Sequence, residues 1–366
     1  MRADVSRFSL SDPSDVSGLA AALDAGALNA REIVAVIGKT HGNGLVNDFT
    51  RGYLTQSLAL LISSRTGETP DEVRRRIPFI FSGGVEGVLS PHYTVFSATP
   101  DSAKSAGKAL AVGVAFTQDF VPGDIGRQTQ IDWTAEAVQR AMVSAGIAGP
   151  EDVHFVQVKG PAFTLADIIA GREAGKPALA DNPGKLMGLG RAASALGVGK
   201  ATGEIAADRA TAATVLSDFG AFSAVASCSA GVEVRNNEVI VVGLSDRWSG
   251  PLTIAHAPMA DALDVAGIHT ALSGLGLTAA PQLTATDARR IRAAFVKCEA
   301  SRDGLVRGKG HTMLNDGDID QQRHIRAAVG AIVASVINDT AIFVSGGAEH
   351  QGPDGGGLLS IIAERG

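Results

Sequence analysis

Ile342-Phe343-Val344-Ser345-Gly346-Gly347-Ala348-Glu349 reads as a short apolar strand running into a serine turn. The same phrase stands at two earlier places, Ile80-Phe81-Ser82-Gly83-Gly84-Val85-Glu86 and Ala226-Ser227-Cys228-Ser229-Ala230-Gly231-Val232-Glu233. Aligned on serine, each reads Ser-(Gly/Ala)-Gly-(Val/Ala)-Glu. Internal repetition of this kind has to be read before any local structure is assigned.

Upstream of each serine turn lies an apolar run that ends in or near lysine. The runs are Ile33-Val34-Ala35-Val36-Ile37-Gly38-Lys39, Val153-His154-Phe155-Val156-Gln157-Val158-Lys159 and Ala293-Ala294-Phe295-Val296-Lys297. Between lysine and serine, each unit has a helix-like segment beginning near an arginine: Arg51, Arg191 and Arg323. Apolar residues at i, i+3 and i+4 mark these segments as core-packed. The middle unit has the longest lysine-to-serine interval, with an insertion expected over 170–184. The pattern predicts an α/β fold of three homologous units, residues 1–103, 109–249 and 252–366, arranged barrel-like around a pseudo-threefold axis.

Composition bounds the function. The chain has 366 residues, 45% of them hydrophobic and 19% charged, enough for a sizeable core. A net charge of −6 argues against a nucleic-acid partner. Apolar runs stop well short of the roughly 20 residues a membrane helix needs, and the amino-terminal stretch lacks the pattern of a secretory signal. Two cysteines, Cys228 and Cys298, form no disulfide framework, so a cytoplasmic setting is expected. Both are read as buried packing residues.

The repeated set has chemical content. Equivalent strand ends meeting near one axis would gather Lys39, Lys159 and Lys297 with Ser82, Ser229 and Ser345 and the three arginines. A lysine made neutral by burial and by nearby cations can activate serine. The small residue after each serine, Gly83, Ala230 or Gly346, lets its backbone N–H approach a carbonyl oxygen as an oxyanion hole requires. Arginine forks suit carbonyls or an imide anion. Such a cavity fits a small ring with several equivalent carbonyl and N–H groups. Gly38-Lys39-Thr40 resembles the end of a phosphate-binding loop, but Ile33 stands where its first glycine belongs. No histidine pair has metal-ligand spacing, and no organic cofactor is expected. The Gly-rich stretch Ala348–Gly357 could hold a hard cation. Residue types alone do not choose among the three Lys–Ser pairs. The third is weakly disfavoured, because Lys297 and Glu299 share a strand face and a nearby carboxylate keeps lysine charged.

The stretch Val36–Gly44, the serine turns and the closing Phe343–Pro353 resemble the cyanuric acid hydrolase/barbiturase family of cyclic amide hydrolases, and the resemblance covers the whole chain. It implies a homotetramer that hydrolyses cyanuric acid to carboxybiuret. It matches the family's nucleophile and base to Ser229 and Lys159. Its substrate contacts fall on Arg51, Ser82, Gly83, Arg191, Ser229, Ala230, Arg323, Ser345 and Gly346, with Lys39 and Lys297 beside them. A structural Mg²⁺ or Ca²⁺ is implied at Glu299, Ala348, Gln351, Gly352, Pro353 and Gly356. The alternatives are a barbiturase acting on barbituric acid and a non-catalytic binder of small cyclic amides.

Overall fold

The computed structural model describes residues 1–84, 86–103, 107–313 and 321–366. Val85, part of the first serine turn, lies outside the described residues. The first portion runs β1 (Arg2–Ser9), α1 (Ser17–Asp24), β2 (Ile33–Thr40), α2 (Thr50–Thr66), α3 (Pro70–Arg76), β3 (Phe79–Gly83) and β4 (His92–Thr99). The second runs β5 (Ala109–Phe116), α4 (Gln128–Ala145), β6 (Val153–Pro161), α5 (Leu165–Glu173), α6 (Pro183–Thr202), β7 (Ala226–Gly231) and β8 (Glu238–Ser245). The third runs β9 (Leu252–Met259), α7 (Val265–Gly274), α8 (Ala285–Ala288), β10 (Ile291–Cys298), the ribbon β11 (Leu305–Val306) and β12 (Lys309–Gly310), α9 (Gln321–Ile337), β13 (Phe343–Gly346) and β14 (Gly357–Glu364).

Each portion builds one four-stranded sheet. The orders are β1-β4-β2-β3, β5-β8-β6-β7 and β9-β14-β10-β13, which is one order written three times. In each, the lysine strand pairs parallel with the serine strand and antiparallel with the strand that follows the serine turn. A parallel pair needs a crossover, and helices supply it. No sheet among the described residues closes on itself; the three open sheets pack around one shared core. The extra length of the second portion lies in α5 with its link to α6 and in the turn-rich stretch 203–225.

The lysine strands share a further detail. Each has a register irregularity just before the apolar alternation begins, between Ile33 and Ala35, Val153 and Phe155, and Ile291 and Ala293. Beyond it, side chains alternate faces. Ala35 and Ile37, Phe155, and Ala293 and Phe295 enter one core shared by the three sheets. Within it the rings of Phe155 and Phe295 stack at 4.6 Å. Val36 faces a core formed with Leu54 and Leu58 of α2, and Val296 faces one formed with Val329 and Val333 of α9. Lys39, Lys159 and Lys297 continue the inward parity. The strand period therefore aims them toward the place where the sheets meet.

No helix among the described residues is long and apolar enough to cross a membrane. The exposed Phe49, Tyr53 and Leu60 all belong to α2 or its start.

Candidate active site

Parallel register sets Lys39 opposite Ser82, Lys159 opposite Ser229 and Lys297 opposite Ser345. Each ammonium then crosses to another sheet. Lys39 Nζ donates to Val344 O at 2.9 Å, Lys159 Nζ to Phe81 O at 3.0 Å and Lys297 Nζ to Cys228 O at 2.6 Å. The acceptor is always the residue before a serine.

The arginines make a second set of crossings. Arg51 on α2 reaches Glu233 at 3.5 Å, Arg191 on α6 reaches Glu349 at 2.5 Å, and Arg326 on α9 reaches Glu86 at 2.8 Å. These glutamates are the last residues of the serine turns. They explain the glycine two positions after each serine. A Cβ at Gly84 or Gly231 would overlap the following glutamate's carboxylate, and one at Gly347 would overlap the Arg191 guanidinium. The turn must be bare there for carboxylate and cation to meet.

Arg326, not Arg323, is therefore the third partner. Arg323 is half-buried and lies outside the central cavity described below. Arg326 is one helical turn further on, which brings it to the inward face of α9. The sequence holds a signal for this, since Arg191-Ala192-Ala193 matches Arg326-Ala327-Ala328. Arg191 also sits in the middle of its helix, because Asn182 caps α6 and Pro183 starts it a full two turns earlier.

The three lysines differ. Glu86 lies 2.9 Å from Lys39 and Glu233 lies 3.0 Å from Lys159. Among the described residues no carboxylate comes within ion-pairing distance of Lys297, which instead donates to Ser345 Oγ at 3.1 Å and Gly346 O at 2.9 Å. Burial is the largest influence on all three and lowers each pKa. For Lys39, Glu86 pushes back and the value settles at about 8. For Lys159, Glu233 opposes the fall and Arg51 adds to it. For Lys297, burial and then Arg191 bring it to about 7. The expectation that Glu299 keeps Lys297 charged is overturned. The Glu299 carboxylate is held by Arg302 at 2.6 and 2.9 Å and by the Ala348 N–H at 3.0 Å.

A small central cavity lies among the serine turns. Its lining includes Arg51, Ser82, Gly83, Arg191, Ser229, Ala230, Ser345 and Gly346, joined by Gly44, Phe81, Met187 and Arg326. Lys159 is the one lysine in the lining; Lys39 and Lys297 are not part of it. The hydroxyls differ as well. Ser82 donates to Val344 O at 3.2 Å and Ser345 accepts from Lys297, whereas the buried Ser229 Oγ has no hydrogen-bond partner among the described residues. Larger clefts, of about 620 and 720 Å³, open on the surface, but neither contains a lysine or one of the three serines of the repeated turns.

Residues 4–364 match the family described as amidohydrolase ring-opening protein. The chain belongs to this family. It is 47% identical to a cyanuric acid amidohydrolase of Enterobacter cloacae, over 99% of both chains. It is 45% identical to a cyclic amide hydrolase of Azorhizobium caulinodans, again over 99% of both. A solved cyanuric acid hydrolase, described as an evolutionary innovation by structural concatenation, superposes with a TM-score of 0.95 at 46% identity over 99% of both chains.

Two further features of this ring-opening amidohydrolase bear on the site. Cys228 and Cys298 are buried and unpaired, and burial pushes both thiols up to about 12. That is far from a thiolate nucleophile. Glu299 is buried beside the closing loop, and burial followed by Glu349 raises it to about 7 in spite of Arg302. The loop folds back on itself through Gln351 N to Ala348 O, Gly356 N to Pro353 O and Glu299 N to Gly356 O. A buried carboxylate beside a loop rich in backbone carbonyls has the donor types a hard divalent cation takes, although here Arg302 and the Ala348 N–H hold that carboxylate.

Proposed function

We propose that this chain opens the ring of cyanuric acid, giving carboxybiuret, with Ser229 as nucleophile and Lys159 as base. The observation that carries the assignment is the pairing, in one cavity, of the lining lysine with the serine whose hydroxyl is uncommitted. Relatives at 47% identity over nearly the whole chain support the substrate. Three portions of one strand order support three units around a pseudo-threefold axis, with boundaries near 103–109 and 249–252.

In this reading the ring lies among the three serine turns, its carbonyls met by backbone N–H groups and by Arg51, Arg191 and Arg326. Neutral Lys159 takes the Ser229 proton, and Oγ attacks one ring carbonyl. Backbone N–H groups of the turn take up the oxyanion charge. The C–N bond breaks and Lys159 returns its proton to the leaving nitrogen. Water, deprotonated by the same lysine, cleaves the acyl-serine ester, and Lys159 passes that proton to the departing Ser229 Oγ as the product leaves. Ser82 and Ser345 hold the ring, and Lys39 and Lys297 brace the serine turns from outside the lining through Val344 O and Cys228 O.

Glu299, with Ala348, Gln351, Gly352, Pro353 and Gly356, would hold a structural Mg²⁺ or Ca²⁺. The ion would add positive charge where Arg302 now supplies it. A homotetramer in the cytoplasm completes the reading, and the exposed apolar side chains of α2 support an association surface.

One observation favours a second assignment. Lys297 bonds Ser345 directly at 3.1 Å, the contact a serine–lysine base pair needs. Turnover of cyanuric and barbituric acids by Ser229→Ala and Ser345→Ala proteins, side by side, separates the readings. Loss in the first alone supports Ser229, loss in the second alone supports Ser345, and preference for barbituric acid overturns the substrate.

A further inference from the structure

The antiparallel neighbour of each lysine strand puts a different residue opposite each lysine: His92 opposite Lys39, Glu238 opposite Lys159 and Leu358 opposite Lys297. Directly opposed residues share a face of the sheet, with Cβ atoms about 5 Å apart. Only the second lysine therefore has a carboxyl as its cross-strand neighbour. Glu238 is buried and accepts the Phe79 N–H of β3 at 3.1 Å.

Glu238 has a second outlook. Together with Glu233 it lines a surface cavity of about 470 Å³, whose other charged residues are Asp71, Arg74, Arg75 and Arg235. Lys159 touches Glu233 at 3.0 Å and lines the central cavity. It thus stands between the reaction space on one side and two carboxyls that open toward solvent on the other.

Resting on the Ser229–Lys159 reading, we propose that Glu238 is a positioning residue that holds up the proton affinity of Lys159, so that the buried amine stays basic enough to take the Ser229 proton. The groups that act on the pair are Glu233 and Arg51 beside Lys159 and the four charged residues of the surface cavity. Burial drives Lys159 down and Glu238 up to about 8, and each group opposes the other's shift.

The test is a ¹³C NMR titration of the full-length protein labelled at lysine Cε, with the Lys159 signal assigned by its loss in Lys159→Met. Glu238→Gln removes a carboxylate that favours the ammonium, so the Lys159 midpoint should fall by about half a pH unit or more, and the acid limb of kcat/KM should move with it. Glu238→Asp should restore both. His92→Gln and Leu358→Gln should leave the Lys159 midpoint in place. A Glu238→Gln midpoint at the wild-type position overturns the proposal. If Glu238→Gln does not fold, infrared detection of the protonated carboxyl in Lys159→Met decides. Glu238 should titrate at higher pH than in wild type, and an unchanged value overturns the coupling. The NMR titration needs no turnover, so a Ser229→Ala protein with wild-type activity would sink the nucleophile while Glu238 is judged on its own.

Discussion

Lys159 and Lys297 occupy one register position in two sheets of identical strand order, yet they stand in different chemistry. Lys159 lines the cavity, touches Glu233 and has Glu238 across the strand, while Lys297 is outside the lining, has no carboxylate partner among the described residues and is bonded to its own serine. Repetition of a backbone repeats the placement of side chains but not their surroundings. Those come from other strands and other sheets, where the repeats have diverged.

The largest effect expected from breaking this contrast is on turnover. Ser229→Ala and Lys159→Ala should each lower kcat on the order of 10⁴-fold or more, as removal of a nucleophile or its base does elsewhere. Ser345→Ala should act mainly on KM, by about 10-fold, the worth of one hydrogen bond to the ring. A greater loss of kcat in Ser345→Ala than in Ser229→Ala would reverse the comparison.

The arginine assignment can be sharpened by stability. Arg326→Gln leaves the buried Glu86 short of a partner and should cost about 3–5 kcal/mol in denaturant unfolding. Arg323→Gln should cost about 1 kcal/mol or less. Equal costs would show that the guanidinium–Glu86 pair is not what distinguishes the two positions.

A smaller effect concerns pH. Lys39 has a folded pKa of about 8, below its ordinary 10.5, so the unfolded chain binds more protons between those values. Stability should therefore rise with pH across that window. Lys39→Met should flatten the rise, measured as unfolding free energy at a series of pH values from 8 to 10.5. An unchanged slope would mean Lys39 is not held in an environment hostile to its charge. Smallest is the metal effect. Chelator should lower Tm by a few degrees and added Mg²⁺ or Ca²⁺ should restore it, as binding to the folded form alone requires. No change with either would remove the ion from the closing loop.

Much of this was legible in the chain. Lysine, serine and a small residue recur in that order, and strand parity aims the lysines inward. The arginine register was half legible. Arg323 begins the helix-like pattern, but the face of α9 that meets Glu86 belongs to Arg326, and helix phase depends on where the helix packs. The glutamates stood in the motif without a stated role, because their partners sit in a different portion of the chain. Glu238 was not legible, since its importance depends on which residue of β8 falls opposite Lys159. A one-residue change of register would have turned it to the other face. Nor does sequence separate a lysine that lines a cavity from two that stop short of it.

The most direct test is to find the acylated serine. Enzyme quenched during turnover of cyanuric acid, digested and read by mass spectrometry, should carry an adduct with the mass of the intact ring on the peptide containing Ser229. Ring opening expels no fragment before water attacks. The same adduct on the peptide of Ser345 or Ser82, with Ser229 unmodified, would contradict the account.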